Sequence, residues 1–538
     1  MPMKKVAIIG AGPTGIYTFL SLLSGQAPLS VTIYEQADEA GVGMPYSEDE
    51  NSHLMLANIA SIEIPPITST YLDWLRDQSE DWLARYGVDK STLHDRQFLP
   101  RILLGEYFRS QFLGLLELAP DRGFEVEVRE ACRVADLEAA SDGVRLWAEG
   151  DAEPALFDFI VIATGHVWPD EDEATRSFFP SPWSGLVEAR IRPCKVGIMG
   201  TSLSGIDAAM AVVGQHGQFA EAEDETLRFE LDDGSDDLTV TLMSRSGILP
   251  EADFYCPIPY APLQVATKSA IEKEIASGPE GLLDRIFALV SQEIREADPA
   301  WSERVRLGKL DADSFADAYF ADRERHDPFR WAEYNLREVE RNKRDRHTVP
   351  WRYAILRLHE AVQDVVPHLD DRDRERFDAG LGRVFIDNYA AIPSESIRRL
   401  LALRTAGIVG LLELGNDYEM NVESGHTDIQ CNGEQYQFDI FIDARGQKPL
   451  ATADLPFPTL REQLKTAGDE VPNVGDNYTL MSPDEAKGRV AFGSIPYLMH
   501  DQPFIQGITA SAEIGSVIAK AIGRPASGIR RYLPFLAA

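Results

Sequence analysis

Two kinds of hydrophobic pattern divide the chain. The first is a short, unbroken apolar run that ends in glycine or other small residues. Such runs are Val6-Ala7-Ile8-Ile9 before Gly10, Phe159-Ile160-Val161-Ile162 before Ala163, Val196-Gly197-Ile198-Met199 before Gly200, Ile440-Phe441-Ile442 before Asp443, and Val490-Ala491-Phe492 before Gly493. A run without polar alternation predicts a strand buried on both faces, as in a parallel sheet. Further strands are expected at Val31–Tyr34, Phe124–Val128, Val144–Ala148, Leu238–Met243, Val384–Ile386, Val409–Leu414, Tyr418–Val422 and Asp428–Cys431. The second pattern has helical spacing, from Gly15 to Leu23, at Tyr71–Arg85, Arg101–Leu118, Ile206–Val213 and Ile508–Ile522. Another helix, with Ser394 as its N-cap, is expected to run to Leu403. From about Leu263 to Gly380 the pattern is helical and heavily charged, clearest over Leu282–Ile294, Asp311–Glu340 and Trp351–Val366. No strand signal interrupts it, so it reads as an all-α insertion in an α/β chain.

The turn after the first strand gives this order a chemical meaning. Gly10-Ala11-Gly12-Pro13-Thr14-Gly15 spaces its glycines as G-x-G-x-x-G between a strand and an apolar helix. Gly10 permits the tight turn, Gly12 lets backbone N–H groups approach a pyrophosphate, and Gly15 lets helix and strand pack closely. Pro13 and Thr14 lie where the helix begins, and its N-terminus carries partial positive charge suited to phosphates. Glu35, 20 residues beyond Gly15 and followed by Gln36, closes the second strand where an acid binds ribose hydroxyls. Together these features predict a bound dinucleotide. Gly41 and Gly43 suit a segment whose backbone approaches that ligand, or else simply a turn. Thr164 and Gly165 let the chain leave the sheet edge beside a nucleotide, and His166 behind them reads as a packing or hydrogen-bonding residue. Near the far end Gly493 closes a strand, and Phe504 and Ile505 precede a helix. In such folds N–H groups there face the flavin's pyrimidine edge.

Gly200-Thr201-Ser202-Leu203-Ser204-Gly205 repeats the motif with Ser202 in place of the middle glycine. The next strand ends in Ser244-Arg245, with Arg245 40 residues after Gly205, twice the first interval. The excess is the polar, acid-rich Gln215–Asp237, read as an exposed insertion with a hairpin around Asp232–Ser235. A serine and an arginine at this strand end suit the 2′-phosphate of NADP, so NADP(H) is favoured over NAD(H). A helix-packing turn that never meets nucleotide is the alternative for so degenerate a motif.

Composition narrows the partners. At 538 residues the chain exceeds a single core, and its apolar fraction of 44% and charged fraction of 26% suit a soluble globular protein. A net charge of −35 repels nucleic acid and anionic lipid, so a small-molecule substrate is expected, with no nucleic acid and no membrane. No apolar run reaches transmembrane length, and no signal peptide is expected before the strand that starts at Lys4. Cys132, Cys194, Cys256 and Cys431 are scattered, which points to a reducing cytoplasm and away from a dithiol reductase. No metal-ligand spacing and no Ser/His/Asp triad stands out, so no catalytic side chain and no metal is assigned. The basic Arg341–His347 run reads as a solvated helix end, and Arg530-Arg531-Tyr532 as an ordinary tail.

With these motifs in hand, the chain resembles the YdhS-like family of FAD/NAD(P)-binding flavoproteins over essentially its whole length. The resemblance is carried by Gly10–Gly15, Gly41–Tyr46, Phe98–Arg101, Ala163–Trp168, Gly200–Asp207, Ser244–Pro250 and Phe441–Gly446. More distantly, it is similar to flavin N-hydroxylating and class B monooxygenases through Ala163–Pro169. The family implies FAD on the first unit and NAD(P)H on the second, with Met44, Pro45, Tyr46, Asn58 and Arg101 as flavin-side contacts. The expected architecture is two Rossmann-like dinucleotide-binding domains. A discontinuous FAD domain (1–185 and 447–538) encloses an NAD(P) domain (186–262 and 381–446), which carries the helical insertion (263–380). The activity implied is an FAD-dependent, NAD(P)H-consuming oxidoreductase. Three forms stay open: a monooxygenase acting on a small polar or amino-acid-like substrate, an NAD(P)H:acceptor reductase or dehydrogenase, and a non-catalytic FAD-binding sensor.

Overall fold

The structure is a computed structural model and describes residues 3–523 except 26, 170–172 and 224–225. The Arg530-Arg531-Tyr532 tail lies outside the described residues. Two compact units emerge, one from residues 3–53, Ile59–Val167 and 447–523, the other from Leu54–Asn58 and Trp168–Gly446.

In the first unit Lys5–Ile9 is the middle of five parallel strands, in the order Val490–Phe492, Phe159–Ile162, Lys5–Ile9, Ser30–Tyr34, Glu125–Arg129. Val6, Ala7, Ile8, Ile160, Val161 and Ile162 are all fully buried, which is why their runs lack polar alternation. The helix Pro13–Gly25 lies against Gly507–Ile522 so closely that a Cβ on Gly515 would stand 2.6 Å from the Thr18 nitrogen. An antiparallel meander, Val134–Ala140, Gly143–Ala148 and Ala155–Phe157, leads into Phe159–Ile162.

The second unit repeats this plan strand for strand. Its parallel order is Phe178–Phe179, Ile440–Asp443, Lys195–Met199, Thr239–Ser244, Val409–Glu413. Again a three-stranded meander, Glu419–Val422, Thr427–Cys431 and Glu434–Phe438, precedes the strand beside the central one. Both units are therefore Rossmann-like, the α/β class expected, and a helical middle region accompanies the second.

Several local expectations are corrected. Val384–Ile386 is not a strand but part of the helix Leu381–Tyr389. Leu381, Val384, Phe385 and Asn388 are buried at helical spacing while Ile386 is exposed, and a three-residue apolar run cannot reveal that period. The helical region thus continues past Gly380, and parallel sheet resumes at Val409. Tyr71–Arg85 is two helices, Tyr71–Asp77 and Glu80–Ala84, because Ser79 accepts the Trp82 N–H and starts a new one. Asp311–Glu340 divides likewise into Phe315–Glu324 and Pro328–Asp345, with Asp327 capping the second and Pro328 in its first turn. The hairpin in Gln215–Asp237 pairs Gly217–Glu221 with Leu227–Leu231, so its tip lies before Leu227 and not at Asp232–Ser235. It is not wholly exposed either: Phe229 is buried, and Phe219 packs beside it at 4.9 Å between ring centroids. Ser394 is the first residue of the helix Ser394–Thr405, and Pro393 holds the cap position.

Candidate functional site

In a parallel sheet the strand C-termini gather at one edge, and ligands bind there. At that edge of the first unit Gly10 takes φ +101°, and a Cβ on it would stand 2.3 Å from the Ala163 carbonyl oxygen. Its N–H donates to Tyr34 O at 2.8 Å, and the Ala163 N–H donates to Ile9 O at 2.8 Å. Gly15 has equally little room, since a Cβ there would meet Gly10 O at 2.1 Å. Gly12 is met from outside the turn at contact distance, since Gly43 Cα would be 3.4 Å from its Cβ. Gly43 itself has φ +82° and presses on Pro13, whose Cδ would be 3.0 Å from a Cβ. The two glycine loops thus cross with no side chain between them, leaving backbone N–H groups as the surface a phosphate would meet.

Glu35 braces this turn. Its carboxylate accepts the Ala11 N–H at 2.9 Å and the Ala37 N–H at 3.0 Å, and Gln36 beside it is exposed. Met44–Tyr46 form one 3₁₀ turn on the far side, and a Cβ on Gly105 would stand 2.4 Å from Tyr46 O. That contact seats the helix Arg101–Leu118, with Arg101 in its first turn. Burial pushes the Tyr46 hydroxyl up to about 12, opposed by the charge of Arg101, so Tyr46 stays neutral and can donate a hydrogen bond.

The chain's late return completes the cradle. Gly493 N–H donates to Ile162 O at 2.7 Å, and a Cβ on Gly493 would stand 2.8 Å from Thr14 Cγ2. Thr14 is held in turn by a 3.0 Å bond from its hydroxyl to Ser511 Oγ. Ser494 Oγ donates to the carbonyl of Gly165, the glycine with φ +71°, at 2.7 Å, which ties Thr164 and Gly165 to the returning strand. Phe504 and Ile505 are buried just ahead of the helix Gly507–Ile522. His166 hydrogen-bonds Gln447, and burial keeps its pKa below the usual histidine range. Ser494, Ser511 and Gln447 carry no motif signal; only the fold reveals them. Asn58 lies in the segment Leu54–Asn58, which is counted with the second unit.

The second cradle is built by the same bonds. Gly200 has φ +144°, its N–H donates to Met243 O at 2.8 Å, and a Cβ on it would be 2.9 Å from Ala444 O. Ala444 N–H donates to Met199 O at 2.9 Å, and a Cβ on Gly205 would meet Gly200 O at 2.4 Å. The substitution at Ser202 has a physical explanation. Ser202 is exposed at the cap of the helix Leu203–Val213, with Leu203 and Ser204 half-buried behind it. By register Ser244 stands where Glu35 stands in the first unit. Ser244 Oγ is buried without a hydrogen-bond partner among the described residues, and Arg245 beside it is exposed.

An FAD therefore fits the first cradle and a second dinucleotide fits the other, given glycines such as Gly10, Gly15, Gly200 and Gly205 that exclude a Cβ and the orphaned Ser244 hydroxyl at the strand end. A family model described as FAD-NAD(P)-binding matches residues 7–167, and one described as a YdhS-like middle domain matches residues 267–389. YdhS of Escherichia coli (strain K12) is 63% identical over 533 residues, 99% of this chain and 100% of that protein. Two solved structures share the fold. Ornithine hydroxylase PvdA of Pseudomonas aeruginosa is 12% identical, with a TM-score of 0.52 over 97% of this chain and 98% of that one. The ornithine N-hydroxylase KtzI of Kutzneria sp. 744 is 14% identical, with a TM-score of 0.50 over 97% of this chain and 99% of that one. Among the described residues no helix is long and apolar enough to cross a membrane. An FAD-NAD(P)-binding module in a two-unit flavoprotein fold makes this an FAD-dependent oxidoreductase that uses a nicotinamide dinucleotide. The chain belongs to the YdhS-like family of FAD/NAD(P)-binding flavoproteins.

Proposed function

We propose that the protein is an NADPH-dependent flavin monooxygenase that hydroxylates a small polar, amino-acid-like substrate in the cytoplasm. In this reading Gly10, Gly12, Pro13, Thr14 and Gly15 hold the FAD pyrophosphate, and Glu35 and Gln36 take its ribose. Gly43, Met44, Pro45, Tyr46 and Arg101 line the flavin side, and Thr164, Gly165, Gly493, Phe504 and Ile505 complete it. Gly200, Ser202, Leu203 and Ser204 hold the NADPH pyrophosphate, and Arg245 takes the 2′-phosphate.

The observation that carries the reading is the difference between two otherwise equivalent strand ends. Where the first cradle has the Glu35 carboxylate, the second has the orphaned Ser244 hydroxyl followed by Arg245. A carboxylate repels a 2′-phosphate, whereas a hydroxyl and a guanidinium bind one. When bound, the flavin supplies two-electron redox chemistry between nicotinamide and an acceptor. The chain binds, orients and shields it; the neutral Tyr46 hydroxyl and the N-terminus of Gly507–Ile522 offer donors rather than charge. Oxygen as acceptor is supported by the shared fold of two ornithine hydroxylases. The four cysteines are buried and scattered along the sequence, which counts against a dithiol relay.

The test is anaerobic mixing of the FAD-loaded protein with NADPH and, separately, NADH, following flavin absorbance. Rapid bleaching by NADPH and slow bleaching by NADH is expected. Admission of oxygen should then give a hydroxylated product in the presence of an N-hydroxylatable amino acid. Fast reoxidation by a quinone with no hydroxylation of any amino acid would favour a reductase. No bleaching by either nucleotide would refute a nicotinamide-driven enzyme and favour the sensor.

A further inference from the structure

We propose that Glu423, His426 and Asp428, at the first turn of the meander in the second unit, form a binding site for a divalent transition-metal ion such as Zn²⁺. Strand register assembles the site. Asn421 pairs with Asp428, and Asp428 pairs with Gln437, so these three make a row across Glu419–Val422, Thr427–Cys431 and Glu434–Phe438. Side chains alternate along a strand, so Glu423, two beyond Asn421, and His426, two before Asp428, continue the face of that row into the turn. Thr427 and Ile429 lie at the alternate positions and are fully buried. The Glu423 N–H closes the turn by donating to His426 O at 2.9 Å.

The ligand atoms converge at metal spacing. His426 Nε2 lies 3.7 Å from Glu423 Oε2 and 3.4 Å from Asp428 Oδ2, and all three atoms fall within 4.8 Å of one another. Both distances exceed the roughly 2.7–3.2 Å of a direct hydrogen bond. They are close to the separation of about 3.4 Å between neighbouring ligands of a tetrahedral ion with bonds of about 2.1 Å. The other carboxylate oxygens are held from outside the trio. Asn421 Nδ2 donates to Glu423 Oε1 at 3.1 Å, and Gln437 Nε2 donates to Asp428 Oδ1 at 3.2 Å. Each amide thereby leaves the second oxygen facing the imidazole, as the outer partners of metal-binding carboxylates do. Charge points the same way. At the matching turn of the first meander Arg145 pairs with both Glu138 and Asp142. Among the described residues no Lys or Arg pairs with Glu423 or Asp428, so two carboxylates share one imidazole, which carries at most a single positive charge. One imidazole and two carboxylates suit a borderline cation such as Zn²⁺, whereas Ca²⁺ and Mg²⁺ prefer oxygen alone. Three protein ligands leave a fourth position for water.

The experiment is calorimetric titration of the full-length, FAD-loaded protein with Zn²⁺, in a non-chelating buffer containing excess Mg²⁺. The proteins compared are the wild type, His426→Gln, Asp428→Asn, Gln437→Leu and, as a control in the first meander, Glu138→Gln. The wild type and Glu138→Gln are expected to bind one more ion per chain than His426→Gln and Asp428→Asn. Gln437→Leu changes no charge and removes no ligand, so it should keep the stoichiometry and weaken the affinity about tenfold. Gln437 is exposed, so this variant tests the site even where His426→Gln fails to fold by circular dichroism. The same stoichiometry and affinity in the wild type, folded His426→Gln and Gln437→Leu would place any bound Zn²⁺ elsewhere and overturn the inference. A wild type that binds no Zn²⁺ in the presence of Mg²⁺ overturns it as well.

Discussion

Glu35 is expected to act on the fold before any flavin arrives. Its carboxylate accepts one backbone N–H from the glycine turn and one from the segment that follows, Ala11 and Ala37, at 2.9 and 3.0 Å. Hydrogen bonds to charged groups contribute about 1.5–3 kcal/mol each, and the half-buried position of Glu35 puts both near the low end. Glu35→Gln keeps one acceptor oxygen but turns an amide donor against the other N–H, a loss of about 1.5 kcal/mol. Glu35→Ala loses both bonds, about 3 kcal/mol. For a unit of this size each kcal/mol moves the melting midpoint by about 2–4 °C. FAD-free Glu35→Gln should therefore melt about 3–6 °C below the wild type and Glu35→Ala about twice as far, followed by circular dichroism. If FAD-free Glu35→Ala melts within about 1 °C of the wild type, and only FAD binding suffers, then Glu35 is a ligand contact alone and the bracing argument is wrong.

Gly493→Ala places a methyl group 2.8 Å from Thr14 Cγ2, on a β-branched side chain already fixed by Ser511. Overpacking of this kind costs about 1–3 kcal/mol, so the purified variant should carry less flavin per protein by absorbance, whereas Gly446→Ala, with nothing within 4 Å, should match the wild type. Arg323→Met strands Asp387 beside Tyr319 in a buried setting and should cost about 3–5 kcal/mol, read as a fall in the denaturant midpoint. Burial lowers His359 to about 4, from an ordinary value of 6.5 that the unfolded chain retains. The folded state therefore binds this proton less readily, so stability present above pH 6.5 is lost as pH falls towards 4. His359→Gln should flatten the decline in melting temperature between those pH values.

Local chemistry made much of this protein legible in its sequence. Unbroken apolar runs marked the parallel strands, because a strand covered on both faces has no polar side to alternate with. Gly10 and Gly15 were legible for a similar reason: the turn needs a left-handed residue and a close backbone approach at fixed spacing, and both demands act within a few residues. Packing over long separations was not legible. Val384–Ile386 is too short to show its period, and only burial of Leu381, Val384 and Phe385 on one face makes it helical. Gly12 and Ser202 occupy the same motif position, yet only the structure shows how their surroundings differ: Gly43, 31 positions away, lies against Gly12, while Ser202 is exposed. Ser494 on Gly165 and Arg323 on Leu249 join residues 329 and 74 positions apart. The sequence by itself determined the buried parallel strands around the two glycine turns and where those turns fall, since dihedral preference and hydrophobic period are properties of neighbouring residues. Tertiary structure alone decided which polar groups are paired and where a side chain is excluded, because those depend on atoms that only folding brings together.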